Sequence, residues 1–347
     1  MADGADGSLD AVGTRVILAL ETSCDDTCAA VLTGDGEIRA NVISSQGIHD
    51  RYGGVVPEIA SRQHLELIGA VVDDALATAG TMLAGVDMIA VTRGPGLVAA
   101  LLVGVATAKA LAAAHELPLA PVDHLHGHVA ASLLGERPPA MPFLSLIASG
   151  GHTLVARVTD PGPGFEVLGQ TLDDAAGEAF DKGARLLGLG YPGGAALELL
   201  ASEGDPDAFE LPTASRRGGL DFSFAGLKTA LLYVVREMTE AELDRRRADL
   251  AASYQQAIVE SLALRVQRGL VATGLRRLAI GGGVAANGAL RRRLAALDVE
   301  LHVPARELCT DNAAMIASAG RFVAPLRYPD YLDLDVYATG EPALARR

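Results

Sequence analysis

Short apolar runs separated by polar or glycine-rich turns open the chain. Val16 to Glu21 is the first, Cys28 to Leu32 follows the polar turn Ser23 to Thr27, and Ile38 to Ile43 follows Gly34-Asp35-Gly36. Runs of this length, bounded by turn residues, predict a strand–turn–strand–turn–strand meander. The pattern returns later: Phe143 to Ala148, a turn at Ser149-Gly150-Gly151, an alternating stretch His152 to Val158, and Phe165 to Leu168 beyond the Pro161–Gly164 loop. The segments after each meander also correspond. Val86 to Val91 predicts a strand, Arg93-Gly94-Pro95-Gly96 a glycine loop, and Leu97 to Ala114 a helix of small residues. Likewise Leu278 to Ile280 leads through Gly281-Gly282-Gly283 into a helix ending at Leu297. One such unit present twice predicts a duplicated α/β fold, two lobes with a central cleft. The glycine loops of both lobes would face that cleft, where nucleotides bind in folds of this kind.

Further helices are expected at Leu172–Leu189, Gly194–Glu203, Ala225–Glu237 and Glu240–Thr273, and a last one at Asn312–Ala324 that crosses back to the first lobe. Arg137-Pro138-Pro139 interrupts the pattern between the halves. The expected division is a disordered tail at 1–14, lobes at 15–138 and 139–311, and a returning helix with a tail at 312–347. Half the residues are hydrophobic and 21% are charged, which excludes a disordered chain. The longest apolar run, Leu97 to Ala108, stops at Lys109 and is too short to span a bilayer. The opening MADGADGSLD has no apolar core, so no signal peptide is expected. Three cysteines, Cys24, Cys28 and Cys309, give no disulfide framework and favour a reducing compartment, the cytoplasm.

A net charge of −14 opposes unspecific nucleic-acid binding. The charge is uneven, however: between Thr213 and Leu294 there are 14 Lys and Arg against 7 Asp and Glu. Arg216-Arg217, Arg245 to Arg247, Arg276-Arg277 and Arg291 to Arg293 supply most of the excess. Such runs are ordinary solvated helix faces or a docking surface for a nucleic acid, and the asymmetry permits the second without requiring it.

Asp123-His124-Leu125-His126-Gly127-His128 carries the strongest chemical signal. With Asp123 as a helix cap, His124 and His128 stand at i and i+4 on one face and can share a metal ion, while His126 points elsewhere. Asp311, in Cys309-Thr310-Asp311-Asn312, reads as a helix cap or as the carboxylate of a two-His, one-carboxylate set, a donor type that suits Fe(II) as well as Zn(II). Ser149-Gly150-Gly151-His152-Thr153 is either a plain hairpin turn or a turn presenting backbone N–H groups to an anion. Gly281 to Gly283 suit close approach of a nucleotide. Asp173 to Lys182 reads as an acidic helix start, and Asp181, near Tyr191-Pro192-Gly193-Gly194, is placed to bond a ribose hydroxyl.

These segments occur in a fixed order together with Glu21-Thr-Ser-Cys-Asp-Asp-Thr27, Arg93-Gly-Pro-Gly-Leu97 and Asp221-Phe-Ser-Phe224. From about residue 15 to residue 340 the chain resembles the bacterial tRNA threonylcarbamoyladenosine transferase (TsaD) family. The resemblance implies the actin-like ATPase and sugar-kinase (ribonuclease-H-like) fold, and transfer of threonylcarbamoyl from threonylcarbamoyl-AMP to N6 of adenosine 37 in tRNAs reading ANN codons. It implies a metal on His124, His128 and Asp311, Fe(II) before Zn(II), and substrate contacts at Ala148, Ser149, Gly150, Gly151, His152, Asp181, Gly194, Glu198 and Asn287. It also implies a paralogous actin-like partner subunit and a small P-loop ATPase. Two positions depart from the family pattern, Cys28 for a small residue and Ala225 for Ser, and neither is expected to touch the metal set. No general base is identified, Asp25 and His152 being the candidates.

Three other readings compete. A zinc peptidase needs Glu directly after the first histidine, and Leu125 stands there. A kinase or chaperone-like ATPase on the same fold needs Mg²⁺ held by carboxylates and no histidine pair. A scaffold subunit needs only its partner surface.

Overall fold

The protein's structure is a computed structural model describing residues 15–213 and 218–338. The tail expected at 1–14, the Arg216-Arg217 pair and residues 339–347 lie outside the described residues.

Two five-stranded sheets form the frame. In the first, β1 (Val16–Glu21), β2 (Asp26–Thr33) and β3 (Ile38–Ser45) make the antiparallel meander. Strands β4 (Met88–Gly94) and β5 (Leu119–Asp123) add in parallel beside β1, giving the order β3-β2-β1-β4-β5. In the second, β6 (Phe143–Ala148), β7 (Thr153–Val158) and β8 (Phe165–Gln170) repeat the meander, and β9 (Arg277–Gly281) and β10 (Glu300–His302) add in parallel beside β6. The two sheets therefore share one strand topology, as the repeated sequence pattern predicts.

Each sheet is covered on both faces, which explains why its central strands are apolar throughout rather than alternating. Leu18 and Leu20 of β1 face α1 (Pro57–Thr78) and α2 (Val98–Ala114), while Ile17 and Ala19 face the opposite layer. That layer holds α3 (His124–Ala131) and α9 (Ala313–Gly320), whose Met315, Ile316 and Ala319 are fully buried. The last helix thus packs on the first sheet. The chain continues along it: Leu326 pairs with Leu119, Tyr331, Leu334 and Val336 join the core, and Ala338 bridges to Gly96.

In the second lobe α4 (Ala176–Leu186), α5 (Gly194–Ala201), α6 (Ala225–Arg236), α7 (Glu240–Thr273) and α8 (Gly288–Ala295) cover one face of β6, β7 and β9. Helix α7 coincides with the predicted range, fixed by a Thr239/Glu242 capping box at one end and left-handed Gly274 at the other.

Several helices are shorter than predicted, among them α9, which spans Ala313–Gly320 rather than Asn312–Ala324. Helix α4 begins at Ala176 rather than Leu172, because Asp173 accepts hydrogen bonds from the Ser223 hydroxyl and the Phe224 and Ala225 amides. Asp173 thereby fixes the first turn of α6 and does not stand in the start of its own helix. The helix expected after the triple glycine is split into a 3-10 turn at Gly283–Ala286 and α8. No described helix is long and apolar enough to cross a membrane.

Gly183 sets the spacing of α4 and α7. A Cβ there would lie 2.2 Å from a ring carbon of Tyr254, which is fully buried and held by its hydroxyl on the Ala179 carbonyl. Alanine gains roughly 1 kcal/mol of helix propensity over glycine. Overpacking against an anchored ring costs about 1–3 kcal/mol, so the clash dominates. Gly183→Ala is expected to lower the midpoint of urea unfolding, and an unchanged or higher midpoint would refute this packing account.

Candidate active site

The site collects at the carboxyl ends of the parallel strands from both sheets. Glu21 ends β1, Gly94 ends β4, Asp123 ends β5, Ala148 ends β6 and Gly281 ends β9. Strand direction brings three of these termini to one edge of the first sheet and two to one edge of the second, the edges at which open α/β sheets place their ligands. The cavity is lined by, among others, Cys24, Asp25, Asp26, His124, Ser149 to His152, Asp181, Gly283 and Asp311.

Asp123 caps α3, accepting from the Leu125 and His126 amides at 2.8 and 3.1 Å. Its second carboxylate oxygen accepts from the Tyr337 hydroxyl. The cap orients the helix so that His124 and His128 face Asp311, with Nε2–Oδ1 distances of 3.6 and 3.3 Å. One donor atom from each residue lies within 4.8 Å of the others. Metal–nitrogen and metal–oxygen bonds of about 2.1 Å place adjacent donors roughly 3–3.5 Å apart, close to these separations. His128 is buried, and its Nδ1 has no hydrogen-bond partner among the described residues. The cluster fits a divalent ion.

His124 reaches away from the cluster as well. Its Nδ1 lies 2.9 Å from Glu21 Oε2 and 3.2 Å from the Ser23 hydroxyl. Glu21 is 1% exposed and also accepts from the Thr92 hydroxyl at 2.6 Å and from the Ser23 amide. Burial pushes its carboxyl up, but the adjacent His124 more than reverses this and holds it below the usual range. Burial likewise disfavours a charged His124, and Asp311 and Glu21 together override it, so the metal-free imidazole is a cation well above neutral pH. An ionised Glu21 on Nδ1–H leaves Nε2 as the ligand nitrogen, the usual arrangement around a metal-bound histidine.

The opposite wall is the turn after β6. The Ser149 amide donates to the His152 carbonyl at 2.8 Å, and the Gly177 amide at the start of α4 donates to the Ser149 carbonyl at 3.0 Å. His152 lines the cleft, and its buried Nε2 has no hydrogen-bond partner among the described residues. Burial first, then the imidazoles of His124 and His128, push its pKa down to about 4, so it is neutral at pH 7. His126 turns away, its Nε2 3.0 Å from the Pro161 carbonyl of the second lobe.

The remaining expected residues divide. Asp181 lines the cleft and accepts from the Gly193 amide at 2.8 Å. Ala148, Gly194, Glu198 and Asn287 stand behind the lining. Glu198 accepts from the Gly288 amide at 2.7 Å, while Asn287 caps α8 through Leu290 and donates to Gln255 at 2.8 Å. Ala148 is buried against Gly282, whose φ is +87° and whose Cβ would lie 2.4 Å from the Ala148 carbonyl. Gly281 faces the His128 carbonyl in the same way, at 2.8 Å. Two of the three glycines are thus required by the protein's own backbone, and Gly283 alone of them lines the cleft.

The model of the tRNA N6-adenosine threonylcarbamoyltransferase (TsaD) family matches residues 37–318. A protein of that name from Symbiobacterium thermophilum is 51% identical over 330 residues, covering 93% of this chain and 95% of its own. Another from Pelobacter propionicus is 48% identical over 330 residues, covering 93% and 96%. The chain belongs to the tRNA N6-adenosine threonylcarbamoyltransferase family. Among solved structures, HypF from T. kodakarensis superposes with a TM-score of 0.59 at 16% identity, over 88% of this chain and 47% of that one. Component A of an (R)-2-hydroxyglutaryl-CoA dehydratase from Acidaminococcus fermentans gives 0.50 at 14%, over 89% and 96%. These likenesses confirm the actin-like ATPase fold.

As a member of this family the enzyme transfers a threonylcarbamoyl group to N6 of an adenosine in tRNA. The peptidase alternative also fails locally, since Leu125 packs against the apolar cluster beneath β6 and β7. Sequence reasoning assigned no role to Glu21, although a carboxylate closing an apolar strand was a legible anomaly. His64 was missed as well; it holds the loop after β1 through the Thr27 hydroxyl at 2.8 Å and the Cys24 carbonyl at 2.9 Å. Cys28 packs beside the residue that carries the carboxylate, its Sγ lying 3.8 Å from the Asp311 backbone carbonyl oxygen, which is not one of the clustered donor atoms. Part of the basic segment of the transferase is engaged in ion pairs. Arg246, Arg247, Arg276, Arg277 and Arg293 each pair with a carboxylate, and Arg291 turns toward the Ala285 carbonyl and Cys309.

A metal entering the cluster must displace the His124 proton. Uptake is therefore expected to release protons and to weaken from about pH 8 to about pH 6, measurable by calorimetry in buffers of different ionisation enthalpy. Affinity independent of pH would contradict the charged state of His124. Glu21→Gln is expected to weaken metal binding about 10–100-fold, read by competition with a chelator. Wild-type affinity in that variant would remove Glu21 from the account.

Proposed function

We propose that His124, His128 and Asp311 hold one Fe(II) ion and that the adjoining cleft binds threonylcarbamoyl-AMP for transfer to adenosine 37, beside the anticodon of tRNAs reading ANN codons. The observation that carries this reading is the convergence of three ligand-type donors at the wall of a cleft built from both sheets. When bound, the ion supplies a Lewis acid for the carbonyl oxygen of the threonylcarbamoyl group.

The acceptor N6 is a poor nucleophile because its lone pair is delocalised into the ring, so positioning and charge stabilisation carry the rate. Ser149, Gly150, Gly151 and His152 form the wall against which the donor lies, and Asp181 faces its ribose. Ala148, Gly194, Glu198 and Asn287 support that wall from behind. The new N6–C bond forms as the C–O bond to AMP breaks, and the N6 proton needs an acceptor. Asp25 and His152, both in the lining of the cleft, are the candidate acceptors.

The enzyme acts in the cytoplasm with a paralogous actin-like subunit and a small P-loop ATPase. Its lobes divide as 15–138 and 139–311, with the segment from 312 returning to the first. Arg236, Arg245 and Arg292, exposed on α6, α7 and α8 and without an ion pair among the described residues, are cations of the basic segment available to tRNA.

His124→Ala, His128→Ala and Asp311→Ala are each expected to lose bound metal and to slow transfer by about 100-fold or more, as removal of charge stabilisation at a reacting carbonyl does. The test digests tRNA after reaction with freshly made threonylcarbamoyl-AMP and partner proteins, then weighs its nucleosides. Full turnover by a metal-free variant would sink the proposal.

A further inference from the structure

The charge balance of the cleft poses a problem for an anionic donor. Asp25, Asp26, Glu178, Asp181 and Asp311 line it, against two permanent cations, Lys182 and Arg185. Lys182 is already engaged, its ammonium 2.6 Å from Asp174 and 2.8 Å from Glu178. Arg185 differs. It projects from the last turn of α4, is exposed, and its guanidinium donates to the backbone carbonyl of Gly53 on the first lobe. Gly53 closes the 3-10 turn Gly47–Tyr52 and itself lines the cleft, so this bond spans the opening between the lobes. A neutral carbonyl is a weaker acceptor for a guanidinium than an oxyanion, which accepts charge-assisted and often paired hydrogen bonds.

We infer that Arg185 is the oxyanion-recognising residue of the donor site, exchanging its bond to the Gly53 carbonyl for one to the anionic group of the incoming adenylate. The inference rests on the donor named above and adds a residue outside the contacts expected from the sequence. An adenylate of this class offers two oxyanions, its phosphate and the carboxylate of its threonine. Either meets the same chemistry, and an acidic cleft would repel both without a cation at its mouth. The geometry also gives the cation a second effect. Because Gly53 and Arg185 belong to different lobes, releasing one bond as the other forms couples donor entry to the opening between them.

Steady-state transfer at varied threonylcarbamoyl-AMP, with partner proteins present, and calorimetric titration of the protein with AMP test the assignment. Arg185→Gln is expected to raise KM for the donor about tenfold, the effect of one lost charged hydrogen bond, with a smaller change in kcat. Arg185→Lys should recover part of that loss by restoring the charge. Parallel weakening of AMP binding identifies the phosphate as the group held, and weakening confined to the donor identifies the carboxylate. Unchanged donor KM together with unchanged AMP affinity in Arg185→Gln would overturn the inference. An inactive wild-type enzyme would refute the donor reading instead, and the AMP titration would then decide Arg185 alone.

Discussion

The hydrogen bond between His124 Nδ1 and Glu21 holds the site in register. It joins the end of the central strand β1 to the first residue of α3, 103 positions later, in a space closed to solvent. An isolated carboxylate in such a place would be prohibitive, since the effective cost of burying one ion is several kcal/mol. Glu21 is tolerated because the imidazole, the Thr92 hydroxyl and the Ser23 amide all satisfy it. The arrangement fixes which nitrogen of His124 faces Asp311, in a residue that could otherwise turn either way.

Around that bond, the duplicated fold supplies geometry that neither lobe has alone. Helix α3 carries two of the donors, yet it packs on α9 from the far end of the chain and beneath strands of the second sheet. Asp311 precedes α9, and Asn312 caps it by accepting from the Met315 amide at 2.9 Å. A residue that local pattern reads as a helix cap is thus displaced by one position, which frees the carboxylate of Asp311 to face the histidines. The segment beyond α9 closes the circuit: Tyr337 reaches Asp123, the cap of α3, and its ring stacks over Arg93.

The cleft has a divided electrostatic character. Carboxylates outnumber permanent cations in its lining, while the donor proposed above is anionic, so its recognition would depend on a few positive or polarisable groups placed at defined points. A metal held by the His124, His128 and Asp311 cluster would be one such point, and the Arg185 guanidinium, as inferred above, the other. A cleft of this kind gains discrimination, because anions lacking the matching geometry meet only repulsion.

Much of this was legible in the sequence because it is local. The repeated meander, the strand–glycine–helix units and the long α7 follow from side-chain periodicity and capping within a few residues of each position. The His124/His128 pair follows from the 3.6-residue helical repeat, and the ordered motifs were sufficient to indicate the family. Tertiary structure decided what lies across the fold. It assigned Gly281 and Gly282 to contacts with the carbonyls of His128 and Ala148, Asn287 to the cap of α8, and Asp173 to the start of α6. It paired Arg246, Arg247, Arg276, Arg277 and Arg293 with carboxylates, brought Cys28 to the Asp311 backbone, and joined Glu21 to His124. The physical reason is that helices, strands and turns are fixed by neighbours along the chain. The partners of buried polar groups are fixed only when sheets and helices pack, and that pairing depends on residues a hundred or more positions apart.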